Sequence, residues 1–251
     1  AMWQMEPRRP DLTSFELSRP SFGQSWIALS ANPGAHRRLI AVALGTLGFS
    51  MQEILLEPYG AEVLAMSVSQ TTRLTAIFAG GMLIAMALSA RYLGRGGEPI
   101  RLAAYGAVVG VFAFAAVIMA GAFDSLTLFA AGTLLIGIGN GLFAVGTLTA
   151  AMLLAGTATA GLVIGTWGAV QATAVGCAVF LGGALRDMTE ALIHGGMISQ
   201  QLSGPATPYG AVYHLEIIIL SASLVALGPL VRRLGNDKDQ PLTMKLADFP
   251  S

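Results

Sequence analysis

The stretch "LAAYGAVVGVFAFAAVIMAGA", residues 102–122, is twenty-one residues long and carries no formal charge. About twenty apolar residues in a row are what a helix needs to cross the hydrocarbon core of a bilayer. In lipid, only a helix or a closed barrel satisfies its own backbone. One such run constrains the fold strongly, and this chain has six, at 38–57, 70–92, 101–122, 126–154, 161–185 and 212–232. Charged residues are 11% of the 251 positions, against roughly 25% in a soluble domain. With a mean hydropathy of +0.67, the chain is predicted to be an all-α, polytopic membrane protein of six transmembrane helices.

The remainder divides simply. Residues 1–36, with Pro7, Pro10, Pro20 and Pro33 and mixed charge, form a polar arm expected to lie along the membrane surface. The bundle occupies 37–232, and 233–251 is a polar tail. The arm lacks the apolar core of a signal peptide. The stretch from Met188 to Ala211, with Gly195, Gly196, Pro205 and Pro208, is expected to be a loop. The fourth run is long enough to need a tilt or an extension beyond the bilayer.

Positive charge gives the orientation. In a six-span arrangement, Arg8, Arg9, Arg19, Arg37, Arg38, Arg91, Arg95, Arg101, Arg232, Arg233, Lys238 and Lys245 collect on one side, leaving only Arg73 and Arg186 of the 14 basic residues on the other. Cytoplasmic loops carry the excess of Lys and Arg, so both termini are expected in the cytoplasm. A net charge of zero provides no field for nucleic acid. The single cysteine, Cys177, excludes a disulfide within the chain.

Three pairs of glycines four apart, Gly106 and Gly110, Gly137 and Gly141, Gly161 and Gly165, each set two small residues on one helix face where another backbone can approach. Around Asn140, "GIGNG" holds three glycines in five residues, so irregular packing is expected there. It is not a phosphate loop, which must follow a strand and open a helix.

Polar groups inside a span are costly and mark sites. Gln52 and Glu53 lie about two-thirds of the way along the first run, and Glu57 follows Glu53 by one turn on the same face. Pro58 is expected to end that helix. Glu53 is placed inside the bundle, either titrating a proton, contacting a ligand or partner, or bonding to a neighbouring helix through Asn140 or Gln171. Glu57 and, in the last run, Glu216 are placed near the outer interface. His36, His194 and His214 show no helical metal-ligand spacing. No nucleophile, acid–base pair or metal constellation indicates an enzyme, and no nucleotide or catalytic metal is expected.

The strings "MQEILLEPYGAEVLAMSVSQTTRLTAIFAGGMLIA", "RYLGRGGEPIRLAAYGAVVG" and "GIGNGLFAVGTLTAAM" resemble the PucC and LhaA group, the bacteriochlorophyll-delivery branch of the major facilitator superfamily, over nearly all of residues 37–232. "EILLEPYG" is the most specific of them. The resemblance implies a photosynthetic membrane protein of purple bacteria that assembles light-harvesting complexes, handling bacteriochlorophyll as antenna polypeptides insert. Gln52, Glu53, Glu57, Tyr59, Asn140 and Gln171 are then candidates for contact with pigment or partner, and His36 and His214 candidates for axial ligation of a pigment magnesium. Implied partners are antenna polypeptides and the reaction-centre complex, and the implied location is the intracytoplasmic part of the bacterial inner membrane.

A carrier of that superfamily has two six-span halves with its substrate site between them. The match here is to the second half, and residues 1–36 resemble the linker joining the halves. The chain, which starts at Ala1, is therefore expected to be a fragment or processed product, a half-size protein that pairs with the N-terminal half or a second copy, or a carrier recruited as a structural subunit. Two further functions stand beside pigment delivery: a structural subunit packed against a reaction-centre or antenna complex, and a proton-coupled transporter of a small solute working through Glu53.

Overall fold

The computed structural model describes residues 33–154, 160–197 and 204–238. Among them the chain is helical, with no strand. Helix α1 (Pro33–Ser50) runs into a 3-10 turn (Met51–Ile54), followed by α2 (Leu56–Glu62), α3 (Val68–Gly94), α4 (Pro99–Ala122), α5 (Leu126–Leu154), α6 (Ala160–His194) and α7 (Thr207–Lys238). The arm up to position 32 and the tail beyond Lys238 lie outside the described residues.

Helices α3 to α7 are each long and apolar enough to cross a membrane. The sixth span depends on α1 and α2, which meet at a 41° bend and count as one span only if the bend lies within it. An all-α polytopic membrane protein results, its first span broken where a continuous helix was expected. Pro58 does not end that helix: the break comes earlier, at Met51–Ile54, and Pro58 lies in the first turn of α2. A first-turn residue has no partner inside the helix for its N–H, so proline costs nothing there.

The loop expected from Met188 to Ala211 is also shorter than that. Helix α6 continues to His194 and α7 begins at Thr207, with Pro208 in its first turn. The α6 terminus is set by Gly196 at φ +71°, while the Met197 N–H donates to the Leu192 carbonyl at 3.1 Å. These are the features of a glycine-capped helix end.

Helix α5 is the hub, packing on α4 and α3, while α1 packs on α7 and α6, and α4 on α7. The glycines decide how closely. A Cβ added to Gly106 would meet the Gly139 carbonyl oxygen at 2.6 Å, and one on Gly137 would strike the Phe78 carbonyl. One added to Gly110 would meet the Phe49 ring at 2.5 Å, and one on Gly141 the Ala85 methyl at 2.5 Å. "GIGNG" is accordingly uninterrupted helix, not an irregular segment, because its glycines alternate between the α3 and α4 contacts. The third pair differs: nothing lies within 4 Å of a Cβ on Gly161 or Gly165. Only 17% of the most apolar window of α6 is buried, so α6 is the most peripheral of the long helices.

Arg37 Nε donates to the Ala226 carbonyl at 2.9 Å, pinning the start of α1 to α7 just past its midpoint. Arg101 and Glu98 pair at 2.8 Å at the start of α4. Arg186 lies at the opposite end, against α2.

Candidate functional site

The broken first span encloses a polar cluster. Its residues alternate in pairs, with Met51 and Gln52 buried, Glu53 and Ile54 exposed, Leu55 and Leu56 buried, Glu57 and Pro58 exposed, Tyr59 and Gly60 buried. Four-residue periodicity thus puts Glu53 and Glu57 on one face, as their spacing requires, but it is the outward face. The expectation of Glu53 inside the bundle fails because the 3-10 turn rotates Gln52 inward in its place.

Inside, Gln52 Nε2 donates to the Phe49 carbonyl at 3.4 Å, and its Oε1 has no hydrogen-bond partner. Tyr59 Oη donates to the Val117 carbonyl at 3.3 Å. Its ring centroid lies 5.3 Å from Phe129, 5.5 Å from Tyr209 and 5.4 Å from Tyr213. Glu216 on α7 is fully buried, its carboxyl set against the Gln52 backbone, while the nearby Tyr213 hydroxyl has no hydrogen-bond partner among the described residues.

Glu216, expected near the outer interface, is fully buried within the bundle. A signal for that burial was available: Tyr209, Tyr213 and Glu216 are spaced i, i+4, i+7, the pattern of one helical face, and that face turns inward. The neighbouring network was not legible in the sequence. Tyr209 Oη donates to Glu62 Oε2 at 2.6 Å. Arg186 reaches Glu62 at 3.3 Å, Asp187 at 3.0 Å and Glu190 at 2.9 Å, with its guanidinium 5.3 Å from the Tyr209 ring centre. These contacts latch α2 onto α6 and α7.

The remaining candidates do not converge on this cluster. Glu57 accepts a hydrogen bond from Thr75 Oγ1 at 2.6 Å. Asn140 is half-buried on α5 and Gln171 half-buried on α6. His36 is exposed near the start of α1. His214 is exposed on α7, with Nδ1 2.6 Å from the Gly210 carbonyl oxygen.

A second feature lies between α1 and α6. A groove of about 820 Å³ runs between Leu44 and Leu47 on one wall and Gly161, Gly165 and Ala169 on the other. The absence of side chains at Gly161 and Gly165 makes its width. Cys177, exposed, stands at its end.

Compared with known proteins, the chain matches the family profile described as "PUCC protein" over residues 1–235. The chain belongs to the PUCC protein family. Among curated relatives, Protein PucC of Cereibacter sphaeroides is 45% identical over 92% of this chain and 50% of its own length. Protein PucC of Rhodobacter capsulatus is 41% identical over 94% of this chain and 50% of its own length. A second Rhodobacter capsulatus protein, described as uncharacterized and located in the puhA-bchM intergenic region, is 46% identical over 100% of this chain and 54% of its own length. This PUCC-family chain thus spans about half the length of the curated relatives it matches. No solved structure matches it.

Proposed function

We propose that the chain is a non-enzymatic assembly factor for light-harvesting complexes of purple bacteria, handling bacteriochlorophyll as antenna polypeptides enter the membrane. Membership of the PUCC family supports the process. The observation that carries pigment handling is the α1–α6 groove, whose volume of about 820 Å³ and walls mainly of Leu, Val, Ala and Gly, with Thr166, Thr173 and Cys177 among them, fit a large apolar ligand. Pockets for sizeable ligands run about 300–1,000 Å³.

In this reading the protein works in the intracytoplasmic photosynthetic membrane with both termini in the cytoplasm. It pairs with a second six-helix unit, either the other half of a facilitator-type carrier or another copy, and it contacts antenna helices and the reaction-centre complex. Bacteriochlorophyll is bound transiently. The broken span supplies the contact face, with Glu53 and Glu57 outward and Gln52 and Tyr59 holding the bend from within. The test is complementation of a phototrophic host lacking the protein, with Leu44 and Leu47 changed to Trp to fill the groove. Near-infrared antenna absorption of the membranes should fall severalfold while the folded protein persists; antenna absorption at the unmodified level would overturn the reading.

One observation favours a second reading, a proton-coupled carrier of a small solute: Glu216, a carboxyl fully buried within the bundle. That reading moves the coupling carboxyl from Glu53 to Glu216. It requires solute flux that collapses in Glu216→Gln and does not depend on pigment.

A further inference from the structure

Helix α3 ends beside the start of α4, where Arg101 and Glu98 pair, and its outer face changes character there. Ile84, Leu88, Arg91 and Arg95 are spaced i, i+4, i+7, i+11, one stripe of a helix, and all four are exposed. The stripe is apolar along the span and doubly cationic at its end. A groove of about 670 Å³ opens at that point, with Leu88, Arg91, Tyr92 and Arg95 on its α3 side and Leu102 on its α4 side. The loop sets its shape. Gly96 turns the chain at φ +80°, and a Cβ on Gly97 would strike the Tyr92 ring, so the loop folds back against that ring. On α4, Tyr105 meets Tyr92 edge to face, with ring centroids 6.2 Å apart.

The fold leaves both arginines unused. The last carbonyls of α3 are capped by backbone: the Gly96 N–H donates to the Leu93 carbonyl at 2.9 Å and the Gly97 N–H to the Tyr92 carbonyl at 3.0 Å. Among the described residues neither Arg91 nor Arg95 makes an ion pair. Glu98, the one carboxylate between Arg91 and Tyr105, is already held by Arg101 at 2.8 Å. Like charges one helical turn apart repel, so Arg91 and Arg95 gain from an anion held between them, and their exposure lets both reach one. Where a span meets the leaflet surface, the anion at hand is a lipid phosphate, which attracts juxtamembrane arginines. The apolar approach along Ile84 and Leu88 favours a lipid over a soluble phosphate, because only a lipid has a chain to lay there. Only 22% of the most apolar window of α3 is buried, so this face stands open to lipid.

We infer that the corner between α3 and α4 is a binding site for an anionic phospholipid of the phosphatidylglycerol type, its phosphate between Arg91 and Arg95, its glycerol beside Tyr92 and an acyl chain along Leu88 and Ile84. The site is separate from the α1–α6 groove and independent of pigment handling. It makes the anionic lipid of the surrounding leaflet a ligand of this protein.

The experiment is native mass spectrometry of the purified full chain in detergent, titrated with phosphatidylglycerol, with phosphatidylcholine of the same chains, or with glycerol 3-phosphate. Phosphatidylglycerol should bind about tenfold more tightly than either of the others. Arg91→Gln and Arg95→Gln should each lower its affinity about fivefold, and the two together roughly 25-fold, the worth of one and of two arginines beside an anionic leaflet. The double variant Arg232→Gln, Arg233→Gln on α7 removes equal charge just past the last span and should leave the affinity within about twofold. The inference is overturned if the chain lacking Arg91 and Arg95 binds phosphatidylglycerol as tightly as the unmodified one, or if the α7 variant loses as much, which would reduce the effect to the general field of the basic end. Arginine-dependent binding of glycerol 3-phosphate at equal affinity would also overturn it, by assigning the corner to a soluble phosphate. Either single variant serves alone if the double one does not fold.

Discussion

Glu216 and Glu53 are the same residue type in similar apolar runs, and they end in opposite places. Glu216 shares a helical face with two tyrosines that fill the core, so its carboxyl is carried inward with them. Glu53 sits beside a 3-10 turn that aims Gln52 inward instead. The isosteric change Glu216→Gln keeps an amide oxygen facing the Gln52 backbone and is therefore expected to leave stability within about 1 kcal/mol; a much larger drop in a detergent melt would contradict this. The glycines divide as sharply. Gly137→Ala and Gly106→Ala press a methyl into backbone and should each destabilise by about 1–3 kcal/mol. Gly165→Ala, which meets open space, should be neutral or slightly stabilising through helix propensity. Paired melts of the three variants check this. Spacing alone revealed all three pairs, but it could not distinguish them, because what a glycine approaches is set by the partner helix.

At the level of elements, the six apolar runs were plain in the sequence because about twenty apolar residues admit few other structures. The break in the first run was not. It depends on a local switch to three residues per turn at Met51–Ile54, in a segment whose composition is equally helical on both sides. Pro58 was the visible signal and it pointed to the wrong place, since proline fits the first turn of a new helix as well as the end of an old one. The short α2 has seven residues, too few to be stable alone, and depends on Glu62, Tyr209 and Arg186 to stay docked. Tyr209→Phe removes the 2.6 Å hydrogen bond to Glu62, worth about 1.5–3 kcal/mol for a charged acceptor. Faster hydrogen exchange confined to residues 56–62 is the expected outcome, with α4 and α5 unchanged. Exchange rising throughout the bundle would mean that the latch holds the whole fold and not α2.

For the whole molecule, the uneven burial of its helices is the guiding feature. The most apolar window of α5 is 50% buried and that of α6 17%, so the bundle is closed around α5 and open along α6, where the groove lies. The membrane class was legible from composition, and the family from strings such as "EILLEPYG". The groove was not legible, because its two walls lie more than a hundred residues apart and its width comes from glycines that read as packing residues. The most direct measurement is an absorption spectrum of the protein purified in mild detergent from its phototrophic host, with bound pigment quantified against protein and companions identified in the same sample. Bacteriochlorophyll in fixed ratio on this chain or its pair, without antenna polypeptides present, is the expected result. Pigment found only in antenna or reaction-centre companions, with this chain present but empty, would contradict it.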